Sequence, residues 1–261
     1  MFDFHALALC SGFGLALILL AVLASWVVSF MKRDVSIVDS MWSVLIVLPM
    51  FACLASLPQI GPRAFCVPAL AALWAIRLAA YITWRNWGEG EDHRYVEIRA
   101  RNEPGFEWKS LYLVFALQGL LAWTVSVSLI VAVASATPLG WLDVLGGLLF
   151  VIGFVFETVA DAQLARFRAG PANRGKVLAS GLWRYTRHPN YFGEFCIWWA
   201  FYAIALSAGG WWSIVSPLLM SVLLLKVSGV TLLEKNIGER RPAYRDYIAR
   251  TNAFFPGVPR P

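Results

Sequence analysis

The chain predicts an all-α polytopic membrane fold of about seven transmembrane helices, and three observations carry that prediction. Of its 261 residues, 59% are hydrophobic and 15% charged, with a mean hydropathy of +0.63. A soluble domain of this length carries roughly a quarter charged residues, so the apolar surface exceeds what one core can hide and the bilayer becomes the expected solvent. The apolar residues fall in runs of about 17–25, the length a helix needs to cross the hydrocarbon. Finally, 19 of the 22 cations lie in alternate loops, on one side of those runs.

The first run, near 6–30, begins almost at Met1 with no Lys or Arg before it. It is longer than a signal-peptide core and lacks a cleavage pattern, so a retained helix is expected. Lys32 and Arg33 separate it from a second span near 37–57, and Arg63 precedes a third near 64–84. The loop to residue 110 holds Arg85, Arg94, Arg99, Arg101 and Lys109. Spans four and five are expected near 111–135 and 141–164. A second basic loop (Arg166, Arg168, Arg174, Lys176, Arg184, Arg187) leads to spans six and seven, near 191–208 and 211–233, and a basic tail follows. The positive-inside rule then puts the N-terminus outside and the C-terminus in the cytoplasm. No repeat, low-complexity tract or Gly/Ser linker divides the chain, which reads as one membrane domain over 1–261. Cys10, Cys53, Cys66 and Cys196 stand isolated in apolar runs, without metal-ligand or redox spacing, and read as small buried hydrophobes.

Topology and anionic lipid explain cations in loops. They do not explain charges within spans, which are costly there and mark function or pairing. Glu157 and Asp161 are four apart, hence on one helix face, and Arg168 follows seven residues later. Asn190 and Glu194 are four apart at the start of span six; Lys226 and Glu234 share a stripe at span seven. Three helices polar at one depth predict a lined cavity. In the stretch SGLWRYTRHPNYFGEF (180–195), His188-Pro189 predicts a helix start at Pro189 to Tyr191. Its free N–H groups favour an anion, Lys176, Arg184 and Arg187 form a basic rim, and Trp183, Tyr185 and Tyr191 offer flat rings. A phosphate joined to a planar heterocycle suits such a mouth.

SGLWRYTRHPNYFGE, followed by TLLEKNIGERRPAYRDYIARTNAFFP, resembles the C-terminal region of the steroid 5-alpha-reductase superfamily from about Glu157 to Pro256. It is especially similar to an uncharacterised bacterial branch, and sterol C14 and C7 reductases share the RH-x-NY-x-G core. The resemblance implies an inner-membrane enzyme whose C-terminal half, 136–261, holds NADPH facing the cytoplasm. The implied contacts are Asp161, Arg168, Asn190 and Glu194, with Lys176 and Tyr247; Tyr185, Arg187, His188, Tyr191 and Glu234 complete the candidate set. Glu157 departs from the family's amide and Glu234 from its histidine.

The N-terminal half, 1–135, is the expected substrate half. Span two carries a polar stripe, Ser36, Asp39, Ser40 and Ser43, at helical spacing. Span three carries Trp74, Arg77, Tyr81 and Arg85 on one face, and the loop beyond it reads GEGEDHRY (88–95). Hydride addition to a conjugated C=C develops negative charge that an acid or hydrogen-bond donor must meet. Asp39, Arg77 and Tyr81 are the candidates, with Asp39 the expected counter-ion of Arg77. Three functions follow: an NADPH-dependent ene-reductase of a steroid, isoprenoid or other lipid; an S-adenosylmethionine-dependent methyltransferase, since isoprenylcysteine carboxyl methyltransferases share the RHPxYxG core; or a non-catalytic lipid-binding membrane protein. Asn190 and Glu194 favour the first. GEGED lacks the third glycine and preceding strand of a soluble dinucleotide fingerprint, and cations that follow topology argue against nucleic acid.

Overall fold

A computed structural model describes residues 2–57, 59–227, 230, 234 and 243–260. Among these residues the regular structure is helical. Five helices are long and apolar enough to cross a membrane: α1 (Phe4–Lys32), α2 (Ile37–Ser56), α3 (Arg63–Asn86), α5 (Phe106–Val133) and α6 (Trp141–Ala169). Between α3 and α5 lies the short α4 (His93–Asn102). The sixth expected span is α7 (Pro189–Ser207), whose Pro189, Asn190 and Glu194 leave its first turns polar. The seventh corresponds to a shorter apolar helix, α8 (Trp211–Val227); its expected end, and Lys235, Arg240 and Arg241 of the basic tail, lie outside the described residues. Helix α9 (Ala243–Arg250) follows.

The chain forms two compact units: Met1–Gly140 with Ala205–Ser216, and Trp141–Ile204 with Pro217–Pro261. In the first, helix α1 starts where the Asp3 carboxylate accepts hydrogen bonds from the His5 and Ala6 amides, at 2.9 and 3.1 Å, capping otherwise orphaned donors. It stops at Arg33, whose left-handed φ of 53° turns the chain toward α2. Helices α1 and α2 cross closely because Gly14 meets Pro49: a Cβ at Gly14 would stand 2.5 Å from the proline ring. Trp74, Phe106, Phe115, Leu45, Ile46 and Met50 are fully buried in this unit. Arg63 is equally buried. Its guanidinium donates to the Thr137 carbonyl and hydroxyl (both 2.9 Å), the Pro138 carbonyl (3.1 Å) and the Ser207 hydroxyl (3.0 Å). Arg63 is therefore a clamp on two chain segments.

In the second unit, α6 and α7 approach through small residues, which let backbones meet without side chains between them. A Cβ at Gly153 would stand 2.5 Å from the Gly193 carbonyl, and one at Gly193 2.5 Å from the Glu157 amide. That crossing sets the polar positions of both helices against each other. Phe150, Trp198 and Phe201 fill the interior. Large side chains such as Leu20, Ile76 and Val144 stay more than 60% exposed along the long helices. Such surfaces suit lipid contact, and the chain is a membrane protein.

Candidate functional site

The second unit gathers most of the candidate cofactor residues around the start of α7. Helix α7 begins at Pro189, the first residue compatible with a helix after the His188-Pro189 break. Across the glycine crossing, the Asn190 amide donates to Asp161 at 3.2 Å. Glu157, Asp161 and Glu194 are all buried. The segment before α7 is fixed on α6: the Trp183 indole donates to the Ala160 carbonyl at 3.1 Å, and Gln163 accepts from the Leu182 amide at 3.0 Å.

Arg187 does not sit at an open mouth. It is buried, and it holds Glu234 through two parallel hydrogen bonds, Nε to Oε1 at 2.6 Å and Nη2 to Oε2 at 2.8 Å. Its remaining nitrogen donates to the Ile248 and Thr251 carbonyls, at 3.2 and 2.5 Å. The guanidinium expected at a phosphate mouth thus meets a carboxylate in fork geometry and two carbonyls. His188 joins the same carboxylate, Nε2 to Oε1 at 2.9 Å, and its ring lies nearly parallel to Tyr191. Burial works to raise the Glu234 carboxyl, but the hydrogen bonds from His188 and Arg187 and the Arg187 charge outweigh it and hold it at about 2.

The buried Tyr247 hydroxyl donates to the Trp183 carbonyl, which ties α9 to the same segment; burial pushes its phenol up. The tail adds two more ties, Arg187 N–H to the Asn252 carbonyl and Gly257 N–H to the Tyr185 carbonyl, at 2.9 and 3.0 Å. Helix α6 continues to Ala169, so Arg168 does follow Asp161 by two turns, but its side chain is exposed, as are those of Lys176 and Tyr185. The structure thus joins Asp161 to Asn190, and Arg187 to His188 and Glu234. It joins neither group to Arg168, Lys176 or Tyr185.

The first unit holds a second polar centre. Asp39 is paired with Arg94 (2.6 Å) and accepts the Tyr95 phenol proton (2.6 Å). Arg94 and Tyr95 thus hold the carboxylate expected to pair with Arg77. The loop GEGEDHRY folds back on the α1–α2 turn and brings Arg94 and Tyr95 to the carboxylate first. Two contacts fix that fold: Glu91 accepts from the Val35 amide at 2.9 Å, and Ser36 accepts from the Asp92 amide at 2.7 Å. Arg77 and Tyr81 lie on α3, half-buried, with the Tyr81 ring against Trp84. Gln118, on α5, donates to the Tyr95 oxygen at 3.1 Å. Burial, then the Asp39 charge, pushes the Tyr95 phenol up, so it stays a neutral donor near pH 7. Sequence reasoning missed Tyr95, Arg94 and Gln118; the signal available was the GEGEDHRY loop itself, which follows α3 and carries acids, a cation and a phenol in eight residues.

A family model described as protein of unknown function (DUF1295) matches residues 25–251. An uncharacterized protein of Schizosaccharomyces pombe is 29% identical over 267 residues, covering 88% of this chain and 75% of that protein. A protein of Ustilaginoidea virens named "Probable O-methyltransferase ustE" is 38% identical over 65 residues, covering 25% of this chain and 22% of that protein. No solved structure matches the chain.

Proposed function

The chain belongs to the DUF1295 family, which is steroid 5-alpha-reductase-like, and on that premise we propose that it is a membrane-embedded, NADPH-dependent reductase of a conjugated C=C bond in a lipophilic substrate. The observation that carries the reading is the Asp161–Asn190 pair, a carboxylate and an amide joined across α6 and α7 beside the RHPNYFGE segment. An acceptor and a donor so placed suit the sugar hydroxyls and carboxamide of a nicotinamide nucleotide, and Tyr191 adds a flat ring. Bound there, NADPH supplies a hydride to one carbon of the double bond.

The residues of the chain have the remaining task, which is to supply a proton and stabilise developing negative charge. The donor we propose is Tyr95: its phenol is neutral, Gln118 holds its oxygen, and its one proton, now given to Asp39, would pass to the substrate only by exchanging that acceptor for the developing negative charge. Seven spans, an outside N-terminus and a cytoplasmic C-terminus belong to the same proposal, because a cytosolic cofactor must reach α7; alkaline phosphatase and fluorescent-protein fusions at Pro261 test it, with activity of the first but not the second refuting the orientation.

A second reading is methyl transfer from S-adenosylmethionine, and one observation favours it, the local similarity to a protein named as an O-methyltransferase. The buried acids Glu157, Asp161 and Glu194 also suit a cationic cofactor better than a phosphate. One experiment separates the two. Membranes containing the full chain are incubated with NADPH deuterated at the transferable hydride, or with S-adenosylmethionine deuterated in its methyl group, and the lipid extract is read by mass spectrometry. Deuterium arriving from NADPH is the expected result. Arrival from S-adenosylmethionine selects the second reading, and arrival from neither leaves a lipid-binding protein without chemistry.

A further inference from the structure

The C-terminal tail, pinned at the Arg187 and Tyr185 segment, lines one side of an open cavity of about 540 Å³ in the second unit. Three arginines line it: Arg184 from the segment before α7, Arg250 from the end of α9, and Arg260 from the tail. Their backbone is held in place, since the Arg260 amide donates to the Arg250 carbonyl at 2.9 Å and the Thr251 amide to the Tyr247 carbonyl at 2.9 Å. Their charge is not. Among the described residues none of the three guanidiniums enters a hydrogen bond or ion pair, and Asp246 is the lining's single acid. Three other arginines, by contrast, are paired with acids: Arg94 with Asp39 and Asp92, Arg99 with Glu91 and Glu107, Arg187 with Glu234.

Three exposed arginines around one concavity make a positive surface that favours an anion, and the guanidinium fork matches phosphate oxygens in geometry. Val177 and Ala179 add apolar lining, which suits an organic body attached to the charge. We propose that this cavity is a binding site for a phosphate-bearing ligand, either a soluble phosphate compound or the headgroup of an anionic phospholipid. The inference does not depend on which cofactor serves the Asp161–Asn190 pair, because it uses none of those residues.

The test uses the full chain in phosphatidylcholine nanodiscs and compares it with the variant Arg184→Gln/Arg250→Gln/Arg260→Gln. One arm titrates inorganic pyrophosphate by calorimetry. The other reconstitutes into phosphatidylcholine with one quarter phosphatidylglycerol and counts retained phosphatidylglycerol by native mass spectrometry. At least one probe should bind the wild type, and the triple variant should weaken it about tenfold or more, roughly 1.4 kcal/mol. The melting temperature should not change, because among the described residues these side chains have no partner to lose. Loss in the first arm alone identifies a soluble ligand, and loss in the second alone a headgroup. Binding of neither probe to the wild type, or equal binding by the variant, overturns the proposal. Should the triple variant fail to fold, Arg250→Gln alone, with about a threefold loss expected, decides between the same outcomes.

Discussion

Two centres in this molecule are built from the same parts and do different work. In the first unit Asp39 holds Arg94 and a phenol; in the second Glu234 holds Arg187 and an imidazole. The surroundings separate them. Arg187 also donates to two carbonyls near the C-terminus, so its centre is a knot that ties tail, α9 and the start of α7 together. Asp39 instead orients a hydroxyl, Tyr95, whose oxygen takes a further hydrogen bond from a glutamine. A carboxylate–guanidinium pair becomes scaffold when backbone carbonyls complete it, and becomes a candidate for chemistry when it aims a proton-bearing group.

The largest expected effect tests the knot. Arg187→Ala removes one partner of a nearly buried ion pair and leaves Glu234 uncompensated, at a cost of about 3–5 kcal/mol. Thermal unfolding in mild detergent should show it as a large fall in Tm, and the variant should lose the protease resistance of residues 247–260. A variant that melts like the wild type breaks the contrast at once. Tyr95→Phe tests the other centre. It keeps the ring and removes the donor, so turnover should fall by about 10²–10⁴-fold, far beyond what the roughly 1–3 kcal/mol lost with one buried hydroxyl would cause, and Asp39→Asn should fall in the same direction. Unchanged turnover in Tyr95→Phe removes Tyr95 from the chemistry and returns Tyr81 or Arg77 to candidacy.

A third prediction uses pH. Because the Glu234 carboxyl is held at about 2 in the folded chain, against an ordinary value of 4.5, its stabilisation is complete above about pH 4.5 and fades as pH falls toward 2. Glu234→Gln should flatten that part of the stability profile; an identical acid limb in both proteins would deny the knot its charge. The smallest effect is expected at Tyr247→Phe, which loses one buried hydroxyl hydrogen bond to the Trp183 carbonyl. A cost of about 1–3 kcal/mol follows, from the carbonyl left unsatisfied.

Much of the architecture was legible because it is local. Apolar run length located five of the crossing helices, and Pro189 marked the start of α7. The four-residue spacings of Glu157 with Asp161 and Asn190 with Glu194 foretold faces, and the Asp161–Asn190 contact joins those two faces. Partners distant in the chain were not legible. Arg187 meets Glu234 across 47 residues, and Asp39 meets Tyr95 across 56. No periodicity encodes such contacts, since they arise from how loops fold back over helix ends. Span position does not reveal Asp39's partners either, because Asp39 faces a loop that returns to it with Arg94 and Tyr95. Arg63 likewise reads as a topology marker in sequence and in the fold clamps residues 137, 138 and 207.

The measurement that bears most directly on the proposed division of labour is NADPH binding, followed by nicotinamide fluorescence in the full-length protein and in two variants. If the second unit captures the cofactor and the first supplies the proton, Asp161→Asn/Asn190→Ala should weaken binding about tenfold or more, near 1.4 kcal/mol. Tyr95→Phe should bind like the wild type while failing to turn over. Full NADPH affinity in the double variant, or S-adenosylmethionine binding where NADPH does not, would contradict the account.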